Sequence, residues 1–190
     1  MAQIKLLKVR LAFPQLFVPK AINGGSSRYS AALIIDPKSQ ASKDIRAQML
    51  AAAKGKFGDD KGEAVLTKLT KENRVCYRTE ERANKEGDVY EGFAGMHSLN
   101  AANKVRPLVI DADRTPLTAE DGRPYAGCVV NAIVEVWAQN NPDPTIGRRL
   151  NCTLLGIQFA GDGDAFGGAS VASVDSFEAV STGSDADDLI

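Results

Sequence analysis

The residues best suited to catalysis by type and spacing are two aspartates, Asp111 and Asp113. Residues two apart in an extended segment share one face, so two such carboxylates could hold the divalent cation of a nuclease. The surrounding sequence, Asp-Ala-Asp-Arg followed by Thr-Pro, is instead typical of a turn. We therefore keep a metal-dependent nuclease acting through Asp111 and Asp113 as the least favoured alternative.

Two other features match ligand-binding or catalytic motifs only in part. The sequence GDGDAFGG, residues 161–168, has Phe166 in place of the third glycine of a GxGxxG motif, and its carboxylates would repel phosphate. It also lacks the glutamate that ends a calcium loop, because Ser173 stands there. His97 has no evident nucleophile as a partner and is interpreted as a structural histidine. The sequence thus predicts no enzyme, no cofactor and no metal ion.

Basic and aromatic residues stand close together in several segments, and this combination suits single-stranded nucleic acid. Tyr77 lies near several arginines, and Tyr90 and Phe93 flank Gly92. Lys and Arg neutralise phosphates, while aromatic faces stack unpaired bases at ~1–3 kcal/mol each with little regard to sequence. A protein that reads duplex DNA would instead need a basic recognition helix, and the sequence indicates none.

Alternation of apolar and polar residues predicts the strands that position these side chains. The predicted strands are residues 4–13, 27–36, a short run ending at Tyr77, and residues 106–110, 127–138 and 150–159. In the first strand one face is apolar and is predicted to lie on the core: Leu7, Val9, Leu11 and Phe13. Lys8 and Arg10 are then expected on the opposite face.

The strand over residues 127–138 gives the strongest signal. Alternate residues form an unbroken small apolar face, which predicts the core side: Cys128, Val130, Ala132, Val134 and Val136. Trp137, the only tryptophan, therefore shares the outer face with Asn131 and Glu135. It is either covered by a helix or offered to a ligand, and both interpretations stay open. On the last strand a polar run shares one face: Arg149, Asn151 and Thr153.

Between Ser39 and Asn73 the apolar spacing becomes helical, and glycines separate two predicted helices. Strands with helices inserted after the second strand predict a mainly β fold that forms a small closed or nearly closed barrel. A mixed α+β sandwich is the alternative. We divide the chain into a barrel domain over residues 1–160 and a flexible acidic tail over residues 161–190.

Charge is distributed very unevenly along the chain. Residues 1–149 hold all 23 Lys and Arg and 17 of the 24 acids, a net charge of +6, whereas residues 150–190 hold seven acids and no base. Segments of opposite charge indicate that the basic body binds a polyanion and that the acidic tail mimics this polyanion or recruits partners. No apolar run approaches the ~20 residues of a membrane span. Three widely spaced cysteines favour a reducing compartment, so we expect a cytoplasmic protein.

Several blocks of the sequence resemble a family of phage single-stranded DNA-binding proteins. The blocks are VRLAFPQLFVPKA (residues 9–21), RYSAALIID (28–36), YEGFAGMHSLNA (90–101), GRPYAGCVVNAIVEVWAQ (122–139) and RRLNCTLLGIQFAGDGDAFGG (148–168). They follow the order of the family, and the Tyr-x-Gly-Cys-x-Val-Asn-Ala block at residues 125–132 is the most specific. The resemblance implies a single OB fold, a five-stranded Greek-key barrel, that coats single-stranded DNA without catalytic activity.

The candidate DNA-binding residues are chosen by strand face and charge. They are Lys8, Arg10, Arg28, Tyr77, Arg78, Tyr90, Phe93, Arg106, Trp137, Arg148 and Arg149. The end of the chain resembles the acidic tails of replicative single-strand binders, which dock on partner enzymes. The residues expected to dock are Asp185, Asp187, Asp188, Leu189 and Ile190. A merely solubilising tail is the alternative.

We therefore expect a protein that coats and protects single-stranded DNA, without sequence preference, during phage DNA replication or recombination in the bacterial host cytoplasm. The expected partners are single-stranded DNA and, through the tail, replication or recombination proteins, and a homodimer is left open. The main alternative is a phage structural or assembly protein that binds no nucleic acid.

Deleting residues 181–190 is expected to raise affinity for single-stranded DNA. The tail would otherwise compete with DNA for the basic body, because tethering gives it a high effective concentration. Fluorescence anisotropy of a labelled oligo-dT at low salt measures the change in Kd. An unchanged Kd would rule out competition by the tail.

Overall fold

Seven strands and two helices make up the part of the chain that the computed structural model describes, residues 3–21, 25–143 and 145–167. The strands are β1 (Gln3–Lys20), β2 (Arg28–Ile35), β3 (Tyr77–Arg78), β4 (His97–Asn103), β5 (Leu108–Ile110), β6 (Val129–Asn140) and β7 (Arg148–Gly161). The helices α1 (Gln40–Phe57) and α2 (Asp59–Lys71) lie between β2 and β3. The expected docking residues of the tail, 185–190, lie outside the described residues.

The sheet curls into a barrel around one apolar core. Its five longer strands are hydrogen-bonded in the order β4-β2-β1-β6-β7, and all four of these pairings are antiparallel. The short strands β3 and β5 extend the two ends, and β5 runs parallel to β7. Side chains from all five longer strands are fully buried inside: Leu11, Leu33, Leu99, Val134 and Leu154.

The barrel closes between β4 and β7, which are not neighbours in the sheet, along a line that we call the seam. Leu150 N donates to Arg74 O at 3.1 Å, and Asn103 Nδ2 donates to Leu154 O at 2.9 Å. The chain that leads into β3 therefore covers part of the seam. Because no continuous strand ladder joins β4 to β7 in the described chain, the outer surface is left open above it.

The predominance of strands confirms the predicted mainly β fold class. Both helices follow β2, as the sequence indicated, and every strand predicted from the alternation is present. The described sheet has seven strands, whereas the sequence pattern indicated five or six. The strand that the pattern did not predict is β4. Residues on both faces of β4 are buried, Ser98 on one and Leu99 and Ala101 on the other. Alanine and asparagine also stand on both faces of β4, so its sequence HSLNAAN shows no clear alternation of polar and apolar residues.

Two β-bulges in β1 overturn the predicted faces of Leu7 and Phe13. The pairing of β1 shifts register between Leu6 and Val9 and again after Ala12. An extra residue in a bulge reverses the faces of all residues beyond it. Leu7 is accordingly 58% exposed and Phe13 41% exposed. The residues of β1 that lie in the core are Ile4, Leu6, Val9, Leu11 and Leu16.

The predicted faces of the strand that became β6 are confirmed. All five residues of the small apolar face are buried, whereas Trp137 is half-buried on the outer face. The register between β6 and β7 also shifts, but β6 contributes consecutive residues at each shift and β7 carries the extra one. The alternation along β6 is therefore uninterrupted, which explains why its sequence could be interpreted correctly.

Gly58, at φ 92°, separates α1 from α2, so the predicted break between two helices is confirmed. α1 packs on β6 and on α2. At Gly62 the two helices approach so closely that a Cβ atom would lie 2.6 Å from Lys54 Cα. No helix among the described residues has the length and apolarity needed to cross a membrane.

Replacing Gly62 with alanine is expected to lower the free energy of unfolding by about 1–3 kcal/mol, because α1 and α2 must move apart to admit the methyl group. The matched control is Gly55→Ala in α1, where a Cβ atom meets nothing within 4 Å. That change is expected to stabilise the protein by about 0.5–1 kcal/mol, since alanine is the better helix former. Urea denaturation measures both variants, and a neutral Gly62→Ala would contradict the close approach.

Candidate nucleic-acid interface

A cleft of about 1180 Å³ lies on the outside of the barrel, above the seam. One side is formed by β1, β2, β4 and the chain on either side of β3, and the other side by β6 and β7. Apolar residues from both sides of the seam contribute to the lining: Val75, Cys76, Ala101, Leu150 and Cys152. Uncharged polar residues add hydrogen-bonding groups: Gln15, Ser30, Asn100, Asn103, Asn151 and Thr153.

Seven basic side chains line this cleft, and no carboxylate does. The bases are Lys20, Arg28, Arg74, Arg78, Arg82, Lys104 and Arg149. The two ion pairs among the described residues lie elsewhere and join Lys68 to Glu72 and Arg123 to Asp111. Within that part of the chain, the positive charge of the cleft is therefore not neutralised by carboxylates. A cleft lined by one sign of charge focuses the field and concentrates ligands of opposite sign, here a polyanion.

Arg82 is a half-buried cation of this cleft. Its guanidinium carbon lies 4.4 Å from the ring centroid of Phe13, and Nη1 donates to Asn100 Oδ1 at 3.0 Å. Burial lowers the pKa of Arg82, although a guanidinium remains charged in a protein. Burying a charge without a counter-charge is unfavourable. A bound phosphate would supply the missing negative charge.

Phe13 presents an aromatic ring to the cleft from the second bulge of β1. Tyr90 contacts its ring edge-on at a centroid distance of 5.2 Å, and the Phe93 ring lies at 6.0 Å. Phe13 has a φ of 48°, which is unfavourable for a bulky residue. Such strain often occurs at functional sites, and here it turns an aromatic ring towards the cleft instead of the core.

Trp137 lines the cleft from the opposite side. Its Nε1 donates to Thr153 Oγ1 at 3.0 Å, a contact that fixes the indole on the outer face between β6 and β7. Neither α1 nor α2 contributes a residue to the cleft, so the structure leaves the part of Trp137 that lines the cleft open to solvent instead of covering it with a helix. The cleft thus has an aromatic surface on each side, with cations around both.

The thiols of the cleft show no sign of a catalytic or metal-binding role. All three cysteines are free and buried. A hydrogen bond with Cys76, together with burial, raises the pKa of Cys152 well above its usual value, so this thiol stays protonated. No cluster of three or more potential metal ligands occurs among the described residues.

Four of the eleven candidate DNA-binding residues meet in the cleft: Arg28, Arg78, Trp137 and Arg149. They come from β2, β3, β6 and β7, so the closure of the barrel brings them together from distant parts of the sequence. Tyr90 lies just behind the cleft, where it contacts Phe13.

Two candidate aromatic residues are buried instead, Tyr77 in the barrel core and Phe93 in a small separate cluster. Tyr77 is 3% exposed, and its hydroxyl is hydrogen-bonded to Ser42 Oγ at 2.8 Å and to His97 Nδ1 at 3.0 Å. Phe93 is 1% exposed and lies beneath Phe13. Stacking on a base requires an accessible ring face, so we correct both assignments and give these residues supporting roles. His97 holds Tyr77 in place, which agrees with the structural role that the sequence indicated.

Four candidate basic residues lie outside the cleft: Lys8, Arg10, Arg106 and Arg148. Arg106 and Arg148 each cover a phenylalanine ring, with the guanidinium carbon 5.3 Å from the ring centroid. Arg10 donates hydrogen bonds to two backbone carbonyls. Lys8 is exposed at the first bulge of β1. The structure therefore does not bring these bases to the surface where the other candidates meet.

Five basic or aromatic residues of the cleft were not among the candidates: Phe13, Lys20, Arg74, Arg82 and Lys104. Phe13 was assigned to the core, because a bulge leaves no mark in the apolar pattern. Arg74 and Arg82 stand near Tyr77 in the sequence, and that clustering of bases is the signal that could have identified them.

The two aspartates of the nuclease alternative stabilise a turn, as the surrounding sequence predicted. Asp111 forms an ion pair with Arg123 at 3.1 Å. Asp113 Oδ1 accepts a hydrogen bond from Thr115 N at 2.9 Å, and this contact lowers the pKa of Asp113. Both carboxylates thus have partners within the protein that account for their presence.

Comparison with known proteins identifies the family. A family model described as the ssDNA-binding protein of Enterobacter phage Enc34 matches residues 2–190. The chain belongs to this family. The family is described by an ssDNA-binding protein and not by an enzyme, in agreement with the sequence analysis.

A relative supports the family assignment, and solved structures share the fold. Protein p50 of Acyrthosiphon pisum secondary endosymbiont phage 1 is 43% identical over 182 residues, which cover 94% of each chain. The single-stranded DNA-binding protein from bacteriophage Enc34, solved in complex with ssDNA, is similar in fold at a TM-score of 0.70. It is 23% identical, and the match covers 87% of this chain and 89% of that chain.

A second solved structure extends the likeness of fold. The T7 bacteriophage protein gp2.5, a single-stranded DNA-binding protein, has a TM-score of 0.54 at 10% identity, over 94% of this chain and 100% of that chain. These likenesses and the strand order confirm the predicted OB fold, here extended by β3 and β5.

Proposed function

We propose that the chain binds single-stranded DNA, without sequence preference, in the cleft above the seam. The observation that carries this proposal is the set of seven basic side chains in a lining that contains no carboxylate. Family membership supports it, since the family is named for a protein that binds ssDNA.

The cleft offers both contacts that a single strand needs. Its cations neutralise phosphates, and this releases counter-ions, so affinity falls as the salt concentration rises. Trp137 offers a ring face for base stacking on one side of the cleft, and on the other side bases can stack on the layer formed by Phe13 and the Arg82 guanidinium that covers it. Asparagine, glutamine, serine and threonine side chains of the lining can donate hydrogen bonds to phosphates and sugars, contacts that carry no sequence information.

The aromatic surfaces favour single-stranded over duplex DNA. The faces of paired bases are covered by their neighbours in the duplex, whereas a single strand can turn its bases onto Phe13 and Trp137. In addition, neither α1 nor α2 contributes a residue to the cleft, so no helix is placed to enter a major groove.

We further propose that the protein coats and protects single-stranded DNA during phage DNA replication or recombination, in the cytoplasm of the bacterial host. Binding without sequence preference is what coating requires, because every segment of the strand must be accepted. The acidic tail would then recruit replication or recombination proteins to the coated strand. This role of the tail rests on its sequence alone.

Trp137→Ala is expected to weaken binding of oligo-dT by about 5- to 100-fold, which corresponds to the loss of one stacked base. The matched control is Ile133→Ala, which truncates an exposed residue on the same outer face of β6 but outside the cleft. It is expected to leave Kd unchanged. Fluorescence anisotropy with oligo-dT and with a duplex of equal length measures both variants.

Arg28→Ala and Arg149→Ala are each expected to reduce the slope of log affinity against log salt by about 0.7, the contribution of one neutralised phosphate of a single strand. The control is Lys61→Ala, which removes an exposed base on α2, outside the cleft. Equal slopes for all three variants would place the DNA elsewhere. If the wild-type protein shows no preference for the single strand, the result would instead favour the alternative function, that of a phage structural or assembly protein.

A further inference from the structure

After β7 the chain crosses the outer surface of the barrel as a strap, residues 162–167. Its start is held by Tyr125, whose hydroxyl donates to Asp162 Oδ1 at 2.8 Å. Near its end, Phe166 N donates to Ala126 O at 3.0 Å. The strap is thus fixed to the barrel at two points, although it belongs to the segment, residues 161–190, that the sequence analysis assigned to the tail.

Arg10 clamps the strap between these two points. Its Nε donates to Gly127 O at 3.0 Å, and Nη2 donates to Asp164 O at 2.7 Å. The guanidinium carbon also lies 4.5 Å from the ring centroid of Phe166. Two of the five N–H donors and one face of the guanidinium take part in these contacts, so Arg10 holds the strap and the Phe166 ring against the barrel.

The ring of Phe166 supports the turn at residues 90–93. It packs against a small cluster outside the barrel core that consists of Phe93 and of Ala12, Ala32 and Ile34 from β1 and β2. Gly92, at φ 81°, lies against the ring so closely that a Cβ atom there would collide with it. Phe93 N donates to Tyr90 O at 3.0 Å, which makes the turn compact.

The opposite side of the same turn carries Tyr90 and Phe93 against Phe13. A turn that belongs to no strand has few contacts of its own, so its position depends on what it packs against. Here Phe166 lies on one side and Phe13 on the other. The orientation of Phe13 in the cleft is therefore coupled to the strap through the turn.

We propose that Phe166 is a positioning residue for base stacking: clamped by Arg10, it presses the 90–93 turn against Phe13 and so holds the Phe13 ring in the cleft. This inference rests on the proposed function. Phe166 itself touches no nucleic acid. Its loss should reduce the stacking part of the affinity and leave the contacts to phosphates intact.

The test compares two oligonucleotides of equal length, oligo-dT and an abasic strand, with the full chain and several salt concentrations. The ratio of the two affinities reports stacking, and the salt slope reports phosphate contacts. Phe166→Ala is expected to lower the ratio about five- to tenfold and to leave the salt slope unchanged. Phe166→Leu, which keeps apolar bulk against Gly92, is expected to restore most of the ratio.

The control is Phe57→Ala, because Phe57 is also a partly buried phenylalanine under a guanidinium, that of Arg148, but lies outside the cleft. It is expected to keep the wild-type ratio. If the wild type prefers oligo-dT and Phe166→Ala keeps that preference, the inference is wrong and the proposed function stands. If the wild type binds neither strand, both are wrong. Should Phe166→Ala not fold, as judged by circular dichroism, the clamp variant Arg10→Lys decides between the same results.

Discussion

The arrangement of the interface depends on one electrostatic constraint, the crowding of seven cations at the seam of the barrel with no carboxylate among the residues that line the cleft. Closing the barrel through the chain that precedes β3 brings together bases from β2, β3, β7 and the neighbouring loops. Like charges held close together work against the folded state. A bound polyanion removes that repulsion, and a ligand that binds only the folded protein also stabilises it. The same charges therefore destabilise the free protein and stabilise its complex with a polyanion.

Most arginines of this protein belong to one of two groups with different roles. Four of those outside the cleft cover phenylalanine rings, in the pairs Arg10–Phe166, Arg106–Phe17, Arg123–Phe159 and Arg148–Phe57. Contacts of this kind are favourable and also shield apolar rings from water. Arg82 combines both roles, because it covers Phe13 and lines the cleft. Net charge alone would not separate these groups, since every member has the same side chain.

The sequence predicted those parts of the fold in which the backbone is regular. Odd- and even-numbered residues of β6 lie on opposite faces along its whole length, as the sequence pattern predicts, because the extra residues of the β6–β7 pairing lie on β7. The faces of β1 do not, because two bulges change the parity at Lys8 and Phe13. Four candidate DNA-binding residues lie in the cleft because they belong to strands whose outer, polar face lines it. Arg82 and Lys104 lie on connections whose course depends on barrel closure, which no local pattern encodes.

The central claim is that single-stranded DNA lies in the cleft between Phe13 and Trp137. Photo-crosslinking tests it most directly, with an oligonucleotide that carries 5-iododeoxyuridine, followed by mass spectrometry of the crosslinked peptides. The account predicts crosslinks at Phe13 and Trp137, because halogenated bases react with the aromatic rings on which they stack. Crosslinks confined to α1, α2 or the β5 edge of the sheet would contradict the account and place the strand on another surface.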